Sequence, residues 1–131
     1  VEEFRSFTNV FYLGKVPYEM LPNYLRGIDL CIIPFKINRL TKAANPLKVY
    51  EFLASGKRVV SSAIPEIEKL DVVKIAHSTD EFISRISESL SEPVDSVRFL
   101  EIAGLNTWDQ KAGDMLSLIK NGLRMKSPRH D

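Results

Sequence analysis

Two residues, Lys48 and Glu51, stand where a helix would begin, and together they suit a ligand with phosphate at one end and a diol at the other. Asn45 fits the N-cap, Pro46 the first helical position and Gly56 the residue past the end. With Asn45 as cap, Lys48 takes the third helical position, where a cation opposes the helix macrodipole at a cost of about 0.3–1 kcal/mol. An anion bound there reverses the sign. Free N–H groups at the helix start, the lysine beside them and the small residues Ala43 and Ala44 together suit a phosphate. Glu51, one turn deeper, shares a face with Lys48 and Ser55. Its carboxylate can accept two hydrogen bonds from a vicinal diol such as the hydroxyls of a ribose.

The charge around this helix is one-sided. From Leu30 to Tyr50 no residue is acidic, whereas Lys36, Arg39, Lys42 and Lys48 are basic. Plainer roles fit the same residues: Asn45 as a cap only, Arg39 and Lys42 as solvated loop charges. Lys48 and Glu51 could form an exposed ion pair, worth a few tenths of a kcal/mol. His77 and His130 have no partner at a catalytic spacing, and Trp108 heads an amphipathic stripe that suits a core.

Short apolar runs alternate with amphipathic stretches, the pattern of β and α units in turn. Strands are expected at Val10–Leu13, ended by Gly14, and at Leu30–Ile33, Arg58–Ser62 and Val73–Ala76. Helices are expected at Tyr18–Ile28, restarted at Pro22, then at Asn45–Ser55 and Pro65–Leu70. A further helix opens with the capping-box spacing Ser78-Thr79-Asp80-Glu81 and is buried through Phe82, Ile83, Ile86 and Leu90. Asp95–Ala103 reads as helical, and Asn106 or Thr107 caps a last helix whose buried stripe is Trp108, Ala112, Met115, Leu116, Ile119 and Leu123. Phe35–Ala44 reads as a loop, and 124–131 as a mobile tail after a C-terminal helix at 107–123. Such an order implies an α/β, Rossmann-like, mostly parallel sheet flanked by helices, with ligands outside the carboxyl ends of the strands.

Composition narrows the function classes. The chain has 131 residues, 44% hydrophobic and 27% charged, with a net charge of +1. That suits one globular domain, and no global charge argues for a nucleic-acid or membrane-surface partner, so no nucleic acid is expected. A single cysteine, Cys31, excludes an internal disulfide and a multi-cysteine zinc site and suits a reducing cytoplasm. No apolar run is long enough to span a bilayer. Val1–Phe7 resembles a mid-protein segment, so 1–131 reads as one partial domain.

The run from Asn45 to Val60 resembles the donor-site helix of the GT-B, group 1 (family 4-like) glycosyltransferases. Asn9–Val16 is similar to that family's strand and turn beside the base, Asp29–Phe35 to its next strand, and Trp108 to the tryptophan opening its C-terminal helix. The resemblance runs from Asn9 to Leu123 and implies the incomplete C-terminal half of a GT-B fold. It implies that Glu51 binds the ribose hydroxyls, that the main chain at Val16 meets the base with Gly14 allowing close approach, and that the amides of Leu47 and Lys48 with the Lys48 side chain hold the diphosphate; Asn45 is a further donor-site candidate. It implies no metal and no cofactor, and transfer of a hexosyl-type sugar from a UDP- or GDP-linked donor to a glycan or lipid-linked acceptor. Bacterial exopolysaccharide enzymes carry this pattern, in the cytoplasm or at the inner face of the membrane. Where the family often has a first glutamate near the sugar, this chain has Ala43.

The opening strand and helix of such a domain, and the whole N-terminal acceptor domain, have no counterpart here, so the fragment alone should be inactive. In a sheet ordered 3-2-1-4-5-6 two strands would then be missing between Val10–Leu13 and Leu30–Ile33. The strands must pair differently, or an open edge must be covered by self-association. Two other classes remain: a non-catalytic nucleotide- or protein-binding Rossmann-like module, and a receiver-like domain, for which only Asp29 and Asp71 approach an acidic cluster.

Overall fold

The structure, a computed structural model, describes Phe4 and residues 6–126. His130 lies outside them. Three strands, β1 (Leu30–Ile33), β2 (Arg58–Ser62) and β3 (Lys74–Ala76), form one parallel sheet in the order β1-β2-β3. Leu30 stands opposite Arg58 and Val60 opposite Lys74. The expected α/β, Rossmann-like arrangement is present as this small parallel sheet with helices on both faces.

Helices join the strands. After a 3-10 turn (Tyr18–Met20) and α1 (Leu21–Arg26) come β1, a single turn α2 (Arg39–Lys42), α3 (Lys48–Ala54) and β2. Then follow α4 (Pro65–Glu68), β3, α5 (Thr79–Ser91), α6 (Ser96–Gly104) and α7 (Trp108–Lys126). Side chains alternate along a strand, so Cys31, Ile33 and Val59 look to one face while Ile32 and Val60 look to the other. On the first face α3 inserts Val49 and Leu53, both fully buried, and α6 packs behind it with Phe99, Ile102 and Ala103. On the second face α5 covers β2 and β3 and reaches β1 less. Because β1 and β2 are parallel, α3 must run back against them. Its first residue, Lys48, therefore sits at the carboxyl ends of the strands.

Several expectations need correction. Val10–Leu13 is not a strand: all four residues are exposed, and Gly14 beyond them turns with φ +70°. An apolar run becomes a strand only where a neighbouring edge takes its hydrogen bonds, and no edge does so here. With it out of the sheet, the three strands pair in chain order without a gap. The outer edge of β1 has no strand partner among the described residues.

The loop expected at Phe35–Ala44 contains α2, capped by Asn38. Asn45 is not the cap of α3: Leu47 holds that position without a side-chain bond, and Lys48 is the first helical residue. The reason is a tight turn at Pro46, whose carbonyl accepts from Val49 N at 3.1 Å, delaying the helical ladder. The far end of α3 is as expected, with Gly56 at φ +69° just beyond it. The Tyr18 stretch divides before Pro22, and of its expected face only Leu25 is fully buried.

Helix α5 does open at Ser78, but Ile83 and Leu90 are exposed, since α5 rests on the sheet through its Phe82 and Ile86 side. The apolar stripe of α7 is exposed as well, Trp108, Met115, Leu116, Ile119 and Leu123 included, because none of the larger packing contacts involves this helix. Local propensity and Thr107, whose hydroxyl accepts from Gln110 N at 3.3 Å, sustain it. It continues to Lys126, past the expected end at 123.

Burial sets the chemistry of Cys31. Desolvation pushes its thiol up to about 11, with Lys57 pulling weakly the other way. The native thiol should therefore resist alkylation at pH 8, reacting at least tenfold more slowly than in urea-unfolded chain; equal rates would contradict this packing.

Candidate functional site

Parallel pairing places the start of α3 at the mouth of the sheet, and two cavities open beside it. One, of about 400 Å³, runs along the outer flank of α3 and is lined by Tyr18, Leu21, Tyr50, Glu51, Ser55 and Trp108 among others. The other, of about 470 Å³, lies at the strand ends between Phe35, Lys36, Ile37, Ser62, His77 and Phe82. Glu51 belongs to the first. Lys48 stands toward the second, with its ammonium 5.6 Å from the centre of the Phe35 ring, a cation–π contact.

The ion pair that would have explained Lys48 and Glu51 structurally is absent. Among the described residues neither side chain has a salt-bridge or hydrogen-bond partner, whereas Lys69, Lys74, Arg85 and Arg98 are all paired with carboxylates. Glu51 is half-buried at the cavity wall, with its carboxylate uncommitted. Ser55 shares that wall, but its hydroxyl donates to the Glu51 carbonyl at 2.9 Å and is already engaged. Tyr50 has its phenol raised, first by burial and then by the charge of Glu66, while the Asn45 side chain hydrogen-bonds it and pulls the other way.

The remaining candidates are placed less closely together. Leu47 is exposed at the start of α3, and Asn45 is exposed and turned to Tyr50. Val16 is half-buried and Gly14 exposed, and neither lines either cavity; Tyr18, two residues beyond Val16, does. Ala43 closes α2 as its C-cap residue.

Sequence reasoning missed what fixes the loop above α3. Asn38 Oδ1 accepts from Leu40 N at 2.9 Å and from Thr41 N at 3.0 Å. Thr41 Oγ1 accepts from Asn38 N at 2.8 Å and donates to the Lys36 carbonyl at 2.9 Å. The spacing Asn38-x-x-Thr41 is the readable signal, since short polar side chains three apart can cap each other's backbone. The strand-end cavity lies where ligands were expected, outside the carboxyl ends of the strands, although its lining by Ser62, His77 and Phe82 was not read from the sequence. Its floor at Ser78 is self-satisfied: Ser78 Oγ accepts from Glu81 N at 3.2 Å, and the Glu81 carboxylate accepts from His77 N at 2.9 Å. That backbone bond, with Arg85, holds the Glu81 carboxyl below its usual range.

No family model matches the chain, and no solved structure matches it. Over 69 residues, 53% of its length, the chain is 36% identical to a Bacillus subtilis (strain 168) protein named "Putative teichuronic acid biosynthesis glycosyltransferase TuaH". The chain is related to a glycosyltransferase. The match spans 17% of that protein's length, so it concerns one part of a longer relative.

A residue kept for ligand binding rather than for folding can be replaced without loss of stability. Glu51→Gln and Lys48→Gln should each change the urea unfolding free energy by less than about 0.5 kcal/mol. A loss above about 1 kcal/mol in either variant would point to a structural role instead.

Proposed function

We propose that the chain is the donor-binding part of a GT-B, group 1 (family 4-like) glycosyltransferase, transferring a hexose from a nucleotide-sugar to a glycan or lipid-linked acceptor. The observation that carries this reading is the uncommitted Glu51 carboxylate in a cavity wall, one turn inside a helix whose first residue is an unpaired lysine. Glu51 takes the ribose diol, while Lys48 and the first N–H groups of α3, at Leu47 and Lys48, take the diphosphate. Tyr18 and Trp108 provide apolar walls for the nucleoside, and the main chain near Val16 and Gly14 approaches the base.

In the transfer, the bond from the anomeric carbon to the diphosphate oxygen breaks and its electron pair leaves with the diphosphate. The acceptor hydroxyl forms the new bond to the anomeric carbon, and its proton passes to the departing diphosphate oxygen, which becomes more basic as its bond breaks. Charge grows on the departing diphosphate, so a preplaced cation and helix start favour that state over the intact donor. Groups nearest the acceptor belong to a second domain of the parent protein. With alanine at position 43, the sugar must be held by other contacts than the family's first glutamate.

The relative's name refers to teichuronic acid biosynthesis, which supports a bacterial surface glycan as the product. No helix among the described residues is long and apolar enough to cross a membrane. We place the activity at the cytoplasmic side, where the parent would meet its donor.

Calorimetric titration with UDP, GDP and ADP tests the reading, on this chain and on the complete protein that carries it. One of the three should bind to the complete protein, and Glu51→Gln should weaken it roughly 10- to 100-fold, the worth of a hydrogen bond to a charged group. Failure of all three, or unchanged affinity in the variant, would overturn it.

A further inference from the structure

The strand-end cavity has a one-sided chemistry that Glu51 does not explain. It forms where all three strands end: Lys36 lies beyond β1, Ser62 closes β2, His77 follows β3, and Thr79 opens α5. Its volume of about 470 Å³ and its apolar walls with a few polar groups are the make-up of a small-molecule site. The polar groups are the informative part. Among the described residues no aspartate, glutamate, asparagine or glutamine lines the cavity. The Lys36 ammonium has no ion-pair or hydrogen-bond partner there, and the Ser62 and Thr79 hydroxyls and the His77 ring make no hydrogen bond.

The nearby acids are engaged or set aside. Glu81 accepts from His77 N at 2.9 Å and pairs with Arg85 at 3.1 Å, and Asp80 does not line the cavity. A neutral hexose presents hydroxyl donors, and the strong side-chain acceptors, carboxylates and amides, are missing here. A carboxylate is acceptor-only when ionised, so it complements an ammonium, two hydroxyls and a ring N–H.

The cavity also lies in line with the donor. Lys48, the first residue of α3, stands 5.6 Å from the centre of the Phe35 ring, and Phe35 lines the cavity. A nucleotide with its ribose at Glu51 and its diphosphate at Lys48 would carry its sugar onward, past Phe35, into this mouth. Ile37, Phe82 and Ile83 offer apolar wall there for the C–H groups of a sugar ring.

We propose that this cavity receives the donor's sugar and that the sugar is a hexuronic acid, its carboxylate paired by Lys36. The Ser62 and Thr79 hydroxyls and the His77 ring N–H donate to that carboxylate and to neighbouring sugar oxygens. The proposal deepens the donor reading and rests on it, since Lys48 must hold the diphosphate for the sugar to arrive here.

Calorimetric titration of the complete protein with matched pairs, glucuronate against glucose linked to UDP, GDP or ADP, tests it. With the accepted base, the glucuronate form should bind about tenfold more tightly, the worth of one charge-assisted hydrogen bond at an open site. Lys36→Gln should remove most of that preference and Lys36→Arg should keep it. Affinity for the bare diphosphate should stay within about twofold in both variants, because that end of the donor does not reach Lys36. Equal affinity for the two sugars, or a preference for glucose, would overturn the proposal and leave the donor reading standing. So would a full glucuronate preference in Lys36→Gln, which would place the carboxylate elsewhere. Failure of every pair together with bare UDP, GDP and ADP would instead overturn the donor reading, and this proposal with it.

Discussion

The parallel pairing of β1 with β2 is the constraint from which the rest follows. Two adjacent parallel strands cannot be joined by a tight turn, so the chain must travel back along the sheet before β2 begins. Helix α3 makes that return, anchored by Val49 and Leu53 in the core. Its direction is then no longer free: its first turn must face the carboxyl ends of the strands. Burial of two aliphatic side chains on one flank thereby leaves Glu51 on the opposite flank and Lys48 at the mouth.

Charge distribution supplies the second layer. Elsewhere on this molecule several cations are matched by carboxylates, as in Lys74 with Glu92 at 2.8 Å or Arg98 with Asp71 at 3.2 Å. These clamp β3 and the loop before it to the helices that follow. Around α2 and α3 no such matching exists, because the stretch from Leu30 to Tyr50 contains no acid at all. A surface left unneutralised beside a rigid fold is available to an anion from outside. The capped turn at Asn38–Thr41 keeps it so, fixing the loop with hydrogen bonds between short polar groups instead of with ion pairs.

Much of this was legible in the residues, and the exceptions share a cause. Leu30–Ile33 and Arg58–Ser62 read correctly as strands because the four apolar residues of the first, and the Val59-Val60 pair of the second, lie in short runs between breakers. The end of α3 was marked by Gly56, and Ser78 marked the start of α5. Val10–Leu13 carries the same local signal as β1 but finds no edge to join, and strand formation depends on that neighbour. The α7 stripe has the period of a buried helix face yet takes part in none of the larger packing contacts, so period alone overstated its burial. Asn45 has a capping residue's chemistry, but the turn at Pro46 moved the helix start beyond its reach. At the site, the face shared by Lys48 and Glu51 was partly right: neither has an ion-pair or hydrogen-bond partner, but Glu51 lines one cavity while Lys48 rests over Phe35, on the wall of the other.

The account rests on the Glu51 carboxylate reading a vicinal diol, and one comparison addresses that directly. The diphosphate that binds best should be measured against its 2′,3′-dideoxy counterpart, in the complete protein and in its Glu51→Gln variant. The unmodified protein should prefer the ribose form by about tenfold or more, and the variant should lose most of that preference, because the two changes remove the same contact. An undiminished preference in the variant would mean that the diol is held elsewhere and that Glu51 has another task.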